Sequence, residues 1–487
     1  MISAHRNTNM LLAYCQLHFH DSGLLSADAS PPSGVAGDRV VQEFHSWPPR
    51  SASHLPHIPF AYIIAANSLA YMPPLRFAFM NILFVHQNFP GQYLHLARHL
   101  AADPAHQVVA ITQRRDAALP GVRNVVYQPH RLVSPQQHRY LRDTEAGVLN
   151  AQAVARAALA LKRGGFVPDV MLGHNGWGEI WYLKDVFPQA PLIGYFEFFY
   201  RALGSDVDFD PTLAQTVDDA PRLRTKNIGN LLGLDAADCG QCPTQWQRST
   251  YPERHHSRLS VIHEGIDTQI VTAANTARLR LPNVDHEFVA GDEIITYVAR
   301  NLEPYRGFPS FMRSLPKILA DRPRARVLIV GGDDVSYGKR LPEGASYRQQ
   351  MLAELGDSID PSRVHFLGRV PYSTYLRVLQ VSRVHVYLTY PFVLSWSMLE
   401  AMAAECLVIG SRTPPVAEVI RDGENGVLVD FFDHDEIAQR VIAALVDRSA
   451  FASLRENARR TIVESFDLRS ICLPAQLRFV DEVRLAG

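Results

Sequence analysis

The chain has 487 residues, of which 47% are hydrophobic and 20% are charged. This balance is typical of a globular protein, and the length predicts two domains rather than one hydrophobic core. The formal net charge of −1 provides no general attraction to nucleic acid, which is therefore not an expected partner. Five cysteines are too few for a disulfide framework and favour a reducing, cytoplasmic location.

The first 79 residues differ from the rest of the chain. They contain no lysine and several proline pairs, and their hydrophobic residues follow no sustained helical or strand period. We interpret residues 1–79 as a disordered extension or a mis-assigned start, with the functional protein beginning at Met80. No run of eighteen apolar residues occurs in the chain, so no transmembrane helix is predicted. Peripheral association with the inner membrane stays open.

From Met80 onward, short apolar runs alternate with amphipathic helical patterns. This alternation predicts parallel strands covered by helices, in a first domain over residues 80–275. The predicted strands are NILFVH (81–86), VVAITQ (108–113), DVMLGH (169–174), PLIGYF (191–196) and LSVIHEG (259–265).

After a polar stretch near residues 272–291, the same pattern restarts and predicts a second domain over 276–465. Residues 466–487 are expected to form a C-terminal helix that crosses back to the first domain. The strands predicted here are EIITYVAR (293–300), ARVLIVGG (325–332), SRVHFLG (362–368), RVHVYLT (383–389), CLVIGS (406–411) and NGVLVD (425–430). Two doubly wound parallel sheets are therefore expected, with ligands at the carboxyl ends of their strands.

Two arginines follow the first strand of the second domain, in YVARNLEPYRGF. Arg300 leaves the strand and Arg306 precedes a helix, where guanidinium groups and helix amides together suit a diphosphate. Gly331 and Gly368 end the next two strands, at points where backbone can approach a ligand closely.

The stretch PFVLSWSMLEAMAAE places one acid, Glu400, in an apolar helix. Pro391 breaks the preceding strand, and Ser395, Trp396 and Ser397 begin the helix, so their amides predict an anion site. A carboxylate at position 400 would repel phosphate, but it can accept hydrogen bonds from the vicinal hydroxyls of a ribose.

The first domain contains its own residues at strand ends. Gly91 and Gln92 lie in the turn after the first strand, and His174 and Asn175 begin a glycine-rich loop after another. The paired cysteines of CGQC (239–242) lack a second ligand pair and are interpreted as incidental thiols. Metal binding by DVDFDP (206–211) is not favoured, because that motif follows a polar loop rather than a strand.

Together these motifs resemble glycosyltransferase family 4, whose members are retaining enzymes of the two-domain GT-B fold. The resemblance covers Met80 to about residue 480, and the motifs occur in the family's order: VHQNFPGQYLHLA, GHNGWGE, VIHEGID, YVARNLEPYRGF, VLIVGG, HFLGRV and LSWSMLEAMAAECLVIGS with TPPVAEVIRDGENGVLV.

The resemblance implies a role for each of these residues. Arg300 and Arg306 would bind the donor diphosphate, Glu400 the ribose and backbone near Val370 the base. His174 would lie beside the donor sugar, with the acceptor mostly on the first domain near Gly91, Gln92 and Asn175. One departure is evident: the family usually carries two glutamates in an E-x7-E arrangement, and the first of them corresponds to Phe392 here.

The implied function is retaining transfer of a hexose from a UDP-, GDP- or ADP-sugar to a saccharide, lipid-linked or small-molecule acceptor, in glycan or polysaccharide biosynthesis. Neither a metal nor another cofactor is expected. An epimerase or phosphorylase of the same fold is the alternative among enzymes. An inactive sugar-nucleotide-binding or scaffold subunit is the alternative outside enzymes, and Phe392 is compatible with it.

Overall fold

The structure is a computed structural model that describes residues 79–282 and 284–486. The prediction that residues 1–79 are a disordered extension falls outside the described residues, except for Phe79. Among the described helices, none is long and apolar enough to cross a membrane.

The first half of the described chain forms a seven-stranded parallel sheet. Its strands are β1 (Asn81–Val85), β2 (Gln107–Thr112), β3 (Val122–Val126), β4 (Val170–His174), β5 (Leu192–Tyr195), β6 (Cys239–Cys242) and β7 (Leu259–Val261). The spatial order is β3-β2-β1-β4-β5-β6-β7, so the direction of winding reverses between β1 and β4. The helices of this half are α1 (Leu94–Ala101), α2 (Arg142–Arg163), α3 (Leu183–Val186), α4 (Asp219–Lys226), α5 (Ile228–Ala236) and α6 (Gln245–Thr250).

The second half opens with an antiparallel pair, β8 (Arg278–Arg280) and β9 (Glu287–Val289). A six-stranded parallel sheet follows, formed by β10 (Ile294–Asn301), β11 (Arg326–Gly332), β12 (Val364–Gly368), β13 (Val384–Tyr387), β14 (Leu407–Ser411) and β15 (Val427–Val429). Its order is β12-β11-β10-β13-β14-β15, with the reversal between β10 and β13.

Eight helices accompany this second sheet. They are α7 (Phe308–Asp321), α8 (Tyr347–Leu355), α9 (Tyr372–Val381), α10 (Trp396–Ala403), α11 (Pro414–Ala417), α12 (His434–Val446), α13 (Ala452–Ser465) and α14 (Leu473–Ala486). Gly307 precedes α7 with a φ of 69°, and a Cβ there would lie 2.3 Å from the Cβ of Leu388. Glycine therefore allows the turn that carries the chain from β10 into α7.

The central strands are buried on both faces, which explains their nearly continuous apolar sequences. Residues Ile82–Val85 and Val327–Val330 are fully buried. All eleven strands predicted from these runs are present, with ends that differ by a few residues.

Four strands were not predicted. The edge strand β3 is only half-buried and polar in part, and the hairpin strands β8 and β9 have three residues each. The fourth, β6, is the CGQC segment itself.

The chain returns to the end of β7 after α13. The Ile266 N–H donates to the Phe466 carbonyl at 2.8 Å, and the Leu468 N–H donates to the Ile266 carbonyl at 2.9 Å. Asp267 and Arg469 add an ion pair of 2.8 Å. Residues 466–469 therefore join the last strand of the first sheet to the segment that leads into α14.

Candidate active site

A cavity lies where the carboxyl ends of the two sheets meet. It spans about 960 Å³ of space free of protein atoms, part of which is open solvent. The first half contributes Leu94 and His95 at the start of α1 and Gly265 to Asp267 after β7. Of the residues predicted from sequence to form a site, five line it: Arg300, Ser395, Trp396, Ser397 and Glu400.

Glu400 is held in the cavity wall by two tyrosines of α9. The Tyr372 hydroxyl donates to one carboxylate oxygen and the Tyr375 hydroxyl to the other, each at 2.7 Å. Burial raises the pKa of Glu400, and the two hydroxyl groups partly offset this rise. Each oxygen retains one lone pair for a ligand hydroxyl. This tyrosine pair was not among the residues predicted to form the site, although its i, i+3 spacing places both rings on one helical face.

The start of α10 is already partly hydrogen-bonded. The Ser395 N–H donates to the Tyr387 hydroxyl at 2.8 Å, and the Ser397 N–H donates to the Ser395 hydroxyl at 3.4 Å. The positive end of the helix dipole still faces the cavity, because Ser395, Trp396 and Ser397 all line it. The anion-binding role of these residues stays a prediction.

The two arginines of the second half occupy different environments. Arg300 lines the cavity. Arg306 is 8% exposed and is not a lining residue, and its Nη1 donates to Thr389 Oγ1 at 2.8 Å and to the Val393 carbonyl at 2.9 Å. Arg306 thus braces the loop that precedes α10. Its direct contact with a diphosphate stays a prediction.

Gly331, Gly368 and Val370 are not among the residues that line the cavity. A Cβ at Gly331 would come within 2.7 Å of the Leu302 side chain, so the residue allows close packing behind Arg300. Gly368 ends the edge strand β12 with a φ of 62° and has open space where a Cβ would lie. Val370 packs against the apolar cores. Contact with a nucleobase stays a prediction for Gly368 and Val370.

His174 ends β4 with its ring almost fully buried. The Gly176 N–H donates to its Nδ1 at 2.9 Å, so the ring proton is on Nε2. That Nε2 lies 3.7 Å from the Glu197 carboxylate and has no hydrogen-bond partner among the residues described. Trp177 stacks on the imidazole at a ring distance of 4.6 Å.

A second histidine, His86, follows β1 and was not among the residues predicted to form the site. The Asn88 N–H donates to its Nδ1 at 2.9 Å, and its Nε2 lies 2.8 Å from Gln92 Oε1. Burial, together with the charge of His174, lowers the pKa of His86 to about 3. A Cβ at Gly91 would collide with the His86 ring at 2.4 Å. The predicted pair Gly91 and Gln92 therefore forms the wall against which His86 is held.

Asn175 is buried and engaged within the first domain. The Trp181 indole donates to its Oδ1 at 3.1 Å, and its Nδ2 donates to Asn230 Oδ1 at 3.2 Å. These contacts tie the end of β4 to α5. The predicted contact of Asn175 with an acceptor stays untested.

Phe392 lies at the junction of the two halves of the molecule. It is 6% exposed, and its ring contacts those of Phe198 at 4.6 Å, Tyr337 at 5.0 Å and Tyr305 at 5.6 Å. The Trp246 indole donates to the Phe392 carbonyl at 3.0 Å. The side chain at this position therefore serves packing between the halves.

The DVDFDP segment also joins the two halves. Asp206 accepts a hydrogen bond from Tyr305 at 2.9 Å, and Asp210 accepts one from Tyr390 at 2.9 Å. Between these two acids, Phe209 packs on Tyr390. These contacts give the aspartates a structural role. In the CGQC motif, burial raises the pKa of Cys239 to about 12 and also raises that of Cys242.

Family models match both halves of the chain. The model described as "Glycosyl transferase family 4 group" matches residues 104–271, and that described as "Glycosyl transferases group 1" matches residues 283–461. The chain belongs to glycosyltransferase family 4. Residues from both matched regions line the cavity of this glycosyltransferase.

Curated relatives of the glycosyltransferase share modest identity with it. The D-inositol 3-phosphate glycosyltransferase of Corynebacterium efficiens is 24% identical over 280 residues, which cover 56% of this chain and 62% of the relative. The protein of the same name from Nocardioides is 24% identical over 269 residues, covering 50% and 57%. The chain thus matches about three-fifths of the length of these relatives.

Solved structures share the fold of this glycosyltransferase. Sucrose-phosphate synthase from Thermosynechococcus elongatus gives a TM-score of 0.61 at 19% identity and covers 84% of this chain and 100% of that one. Anabaena HepE in complex with UDP and glucose gives 0.57 at 16% identity, covering 83% and 99%. The architecture is GT-B, with two Rossmann-like domains that face a central cleft.

Proposed function

We propose that this glycosyltransferase transfers a hexose from a nucleotide-sugar donor to a saccharide, lipid-linked or small-molecule acceptor with retention of configuration and without a metal. The main supporting observation is the cavity that collects Arg300, the start of α10 and Glu400. These groups match the charge order of a nucleoside diphosphate, with a cation and a helix dipole for the phosphates and a carboxylate for the ribose.

The donor orientation follows from this arrangement. The diphosphate lies against Arg300 and the first turn of α10, and the ribose hydroxyls face Glu400. The sugar then points toward the first domain, where His174 ends β4 and Glu197 follows β5. Structures of Anabaena HepE contain UDP and glucose or UDP-glucose, which supports a UDP-sugar as the first donor to test.

Leaving-group stabilisation is the main catalytic contribution in this mechanism. Charge develops on the departing diphosphate, and the guanidinium of Arg300 and the dipole of α10 stabilise it. The acceptor attacks from the same face, and a diphosphate oxygen takes its proton. No protein nucleophile is required.

The test is a panel of UDP-, GDP- and ADP-sugars incubated with the purified full chain. Slow nucleotide release that a chelator leaves unchanged is the expected result, and the anomeric configuration of the product is read by NMR. An inverted anomer contradicts retention, and loss of activity with the chelator contradicts metal independence. Binding without release favours the alternative of an inactive sugar-nucleotide-binding subunit, with which the packing role of Phe392 is compatible.

A further inference from the structure

We propose that the second domain binds a phosphate group, free or as a monoester, at three arginines on the edge of its sheet opposite the cavity. The three residues are Arg383, Arg448 and Arg455, and none of them lines the cavity. This site is independent of the proposed transfer reaction, because it involves no residue to which that reaction assigns a role.

The three arginines come together from separate elements. Arg383 directly precedes β13, and its backbone N–H donates to the Ile294 carbonyl of β10 at 2.9 Å. Arg448 follows α12, and its Nη1 would lie 3.7 Å from a Cβ at Gly291, in the turn before β10. Arg455 lies in the first turn of α13, within the electrostatic reach of Arg448. All three therefore lie at the edge where the strands of the second sheet begin.

None of the three guanidinium groups has a hydrogen-bond or ion-pair partner among the described residues. The Nε atoms of Arg383 and Arg455 are buried, so these side chains are packed along their length, whereas their Nη atoms remain accessible. Arg448 is exposed. The cluster thus presents free N–H donors on guanidinium groups, two of which are held in place by packing. Such donors suit the oxygens of a phosphate.

The three charges also act on one another. Burial lowers the pKa of Arg383, and Arg448 and Arg455 lower it further, against the opposing charge of Glu293. Burial likewise lowers the pKa of Arg455, and Arg448 adds to this decrease. Because arginine stays protonated in proteins, the cluster keeps three positive charges, which repel one another unless an anion lies between them.

The acids near the cluster have other partners. Glu293 accepts a hydrogen bond from Arg322 at 2.6 Å. Asp447 accepts hydrogen bonds from two backbone amides of the turn that follows it, at 2.8 and 3.1 Å. Glu405 lies 3.8 Å from Arg459. These acids offset part of the positive charge, but none of them forms a hydrogen bond with the three arginines.

The start of α13 adds to the attraction for an anion. Its first turn contains no acidic residue, although Arg455 lies there. A cation at the positive end of the helix dipole is unfavourable, and a bound anion reverses this effect. Glu456 follows Arg455 directly and therefore faces another side of the helix.

The binding test titrates the full chain with inorganic phosphate by calorimetry. Binding is expected to persist in Arg300→Ala, because Arg300 belongs to the cavity. Arg448→Gln is expected to lower the affinity about tenfold or more, the order of a hydrogen bond to a charged group. Arg440→Gln removes another exposed charge, on α12 beside Glu436, and should match wild type. Loss of binding in Arg300→Ala, or an unchanged affinity in Arg448→Gln, would overturn the inference.

Thermal unfolding separates a bound anion from general screening. Without phosphate, Arg448→Gln is expected to melt no lower than wild type, because it removes a repelling charge. Phosphate should raise the melting temperature of wild type more than that of the variant, and more than sodium chloride does at equal ionic strength.

Two results of the melting experiment would contradict the site. If chloride and phosphate act equally, ions screen the cluster and no ligand is held there. If Arg448→Gln melts lower than wild type without phosphate and responds to phosphate as wild type does, the role of Arg448 is structural. Either result overturns the inference.

Methyl phosphate identifies the form of the ligand. Binding of both methyl phosphate and inorganic phosphate supports a monoester, whose remaining oxygens contact the arginines. Binding of inorganic phosphate alone supports free phosphate as the ligand. If neither compound binds, the site does not exist.

Discussion

The indole nitrogen of Trp396 donates a hydrogen bond to the carboxylate of Glu264 over 2.9 Å and so links the start of α10 to the end of β7. Glu264 is 1% exposed and also accepts a hydrogen bond from Tyr195. The helix whose first turn faces the cavity is therefore positioned in part by an acid of the other domain.

Removing this link is expected to destabilise the fold. Trp396→Phe retains the ring but removes the hydrogen bond to a buried oxygen of Glu264. Among the described residues, that oxygen then keeps only His263 Nε2 at 3.6 Å, so a cost of about 1–3 kcal/mol in the free energy of unfolding is expected. Chemical denaturation measures the loss. Trp246→Phe is the matched control, because its indole donates to a carbonyl group rather than to a buried carboxylate. An equal loss in both variants would contradict a special role for Glu264.

Glu400→Gln is expected to weaken nucleotide binding by roughly 10-fold or more, the order of one hydrogen bond to a charged group. Calorimetry with UDP, GDP and ADP measures it. If Glu400 contacts the ribose, wild type should bind the corresponding 2′-deoxynucleotides less tightly than the ribonucleotides. The Glu400→Gln variant should bind the two kinds of nucleotide with equal affinity. If wild type bound ribonucleotides and 2′-deoxynucleotides with equal affinity, Glu400 would not have this role.

The two arginines are expected to differ in what their loss changes. Arg300→Ala should lower turnover roughly 100-fold or more, the order seen when one preorganised charge-stabilising donor is removed. Steady-state kinetics with the nucleotide-sugar donor measures the rate, and a melting curve of the variant separates a loss of function from a loss of folding.

Arg306→Ala should lower turnover by a similar factor and should also destabilise the fold. Its removal leaves the buried Thr389 hydroxyl and the partly buried Val393 carbonyl without their shared donor, which costs about 1–3 kcal/mol. Arg313→Ala, which breaks a surface ion pair, is the control. An unchanged rate in Arg306→Ala would contradict its assignment to the catalytic machinery.

Glu179 should make stability depend on pH. It is fully buried, and burial raises its pKa from 4.5 to about 7, against the opposing effects of the Tyr127 hydrogen bond and the charge of His174. A raised pKa means that the folded state binds the proton more tightly. The resulting stabilisation is complete below the unfolded pKa and is lost as pH rises through about 7.

Glu179→Gln isolates this effect, because it retains an acceptor for Tyr127 and cannot ionise. Relative to the variant, wild type should lose roughly 3 kcal/mol of unfolding free energy between pH 4.5 and pH 8, by the linkage of about 1.4 kcal/mol per pKa unit. Denaturant titrations at several pH values measure the difference. A constant difference across that range would show that Glu179 does not change its ionisation there.

Phe392→Glu should not create a sugar-binding carboxylate. The side chain would place an unpaired charge among the rings of Phe198, Tyr305 and Tyr337, and an uncompensated buried charge costs several kcal/mol. We expect a lowered melting temperature with no gain in nucleotide-sugar affinity, whereas Phe392→Leu loses less stability. Tighter donor binding by Phe392→Glu would show that this position faces the sugar.

Much of the fold was readable from local sequence. The strands were found wherever both faces are buried, as in β1 and β11, because burial on two sides selects continuous apolar runs. The edge strand β3 and the CGQC strand β6 were missed, since partial exposure and small polar residues weaken that signal. The placement of Arg300, Ser395, Trp396, Ser397 and Glu400 at the cavity was expected from strand-end positions alone.

The sequence by itself determined the two sheets, their family and the strand ends that line the cavity, because hydrophobic period and motif order are local properties. Only the tertiary structure decided which side chains meet: Glu400 with Tyr372 and Tyr375, Trp396 with Glu264, and Glu197 with His174. These partners lie 23 to 132 positions apart in the chain, so packing rather than spacing brings them together. The same packing places Phe392 among the rings of Phe198, Tyr305 and Tyr337, which its position in the sequence did not reveal.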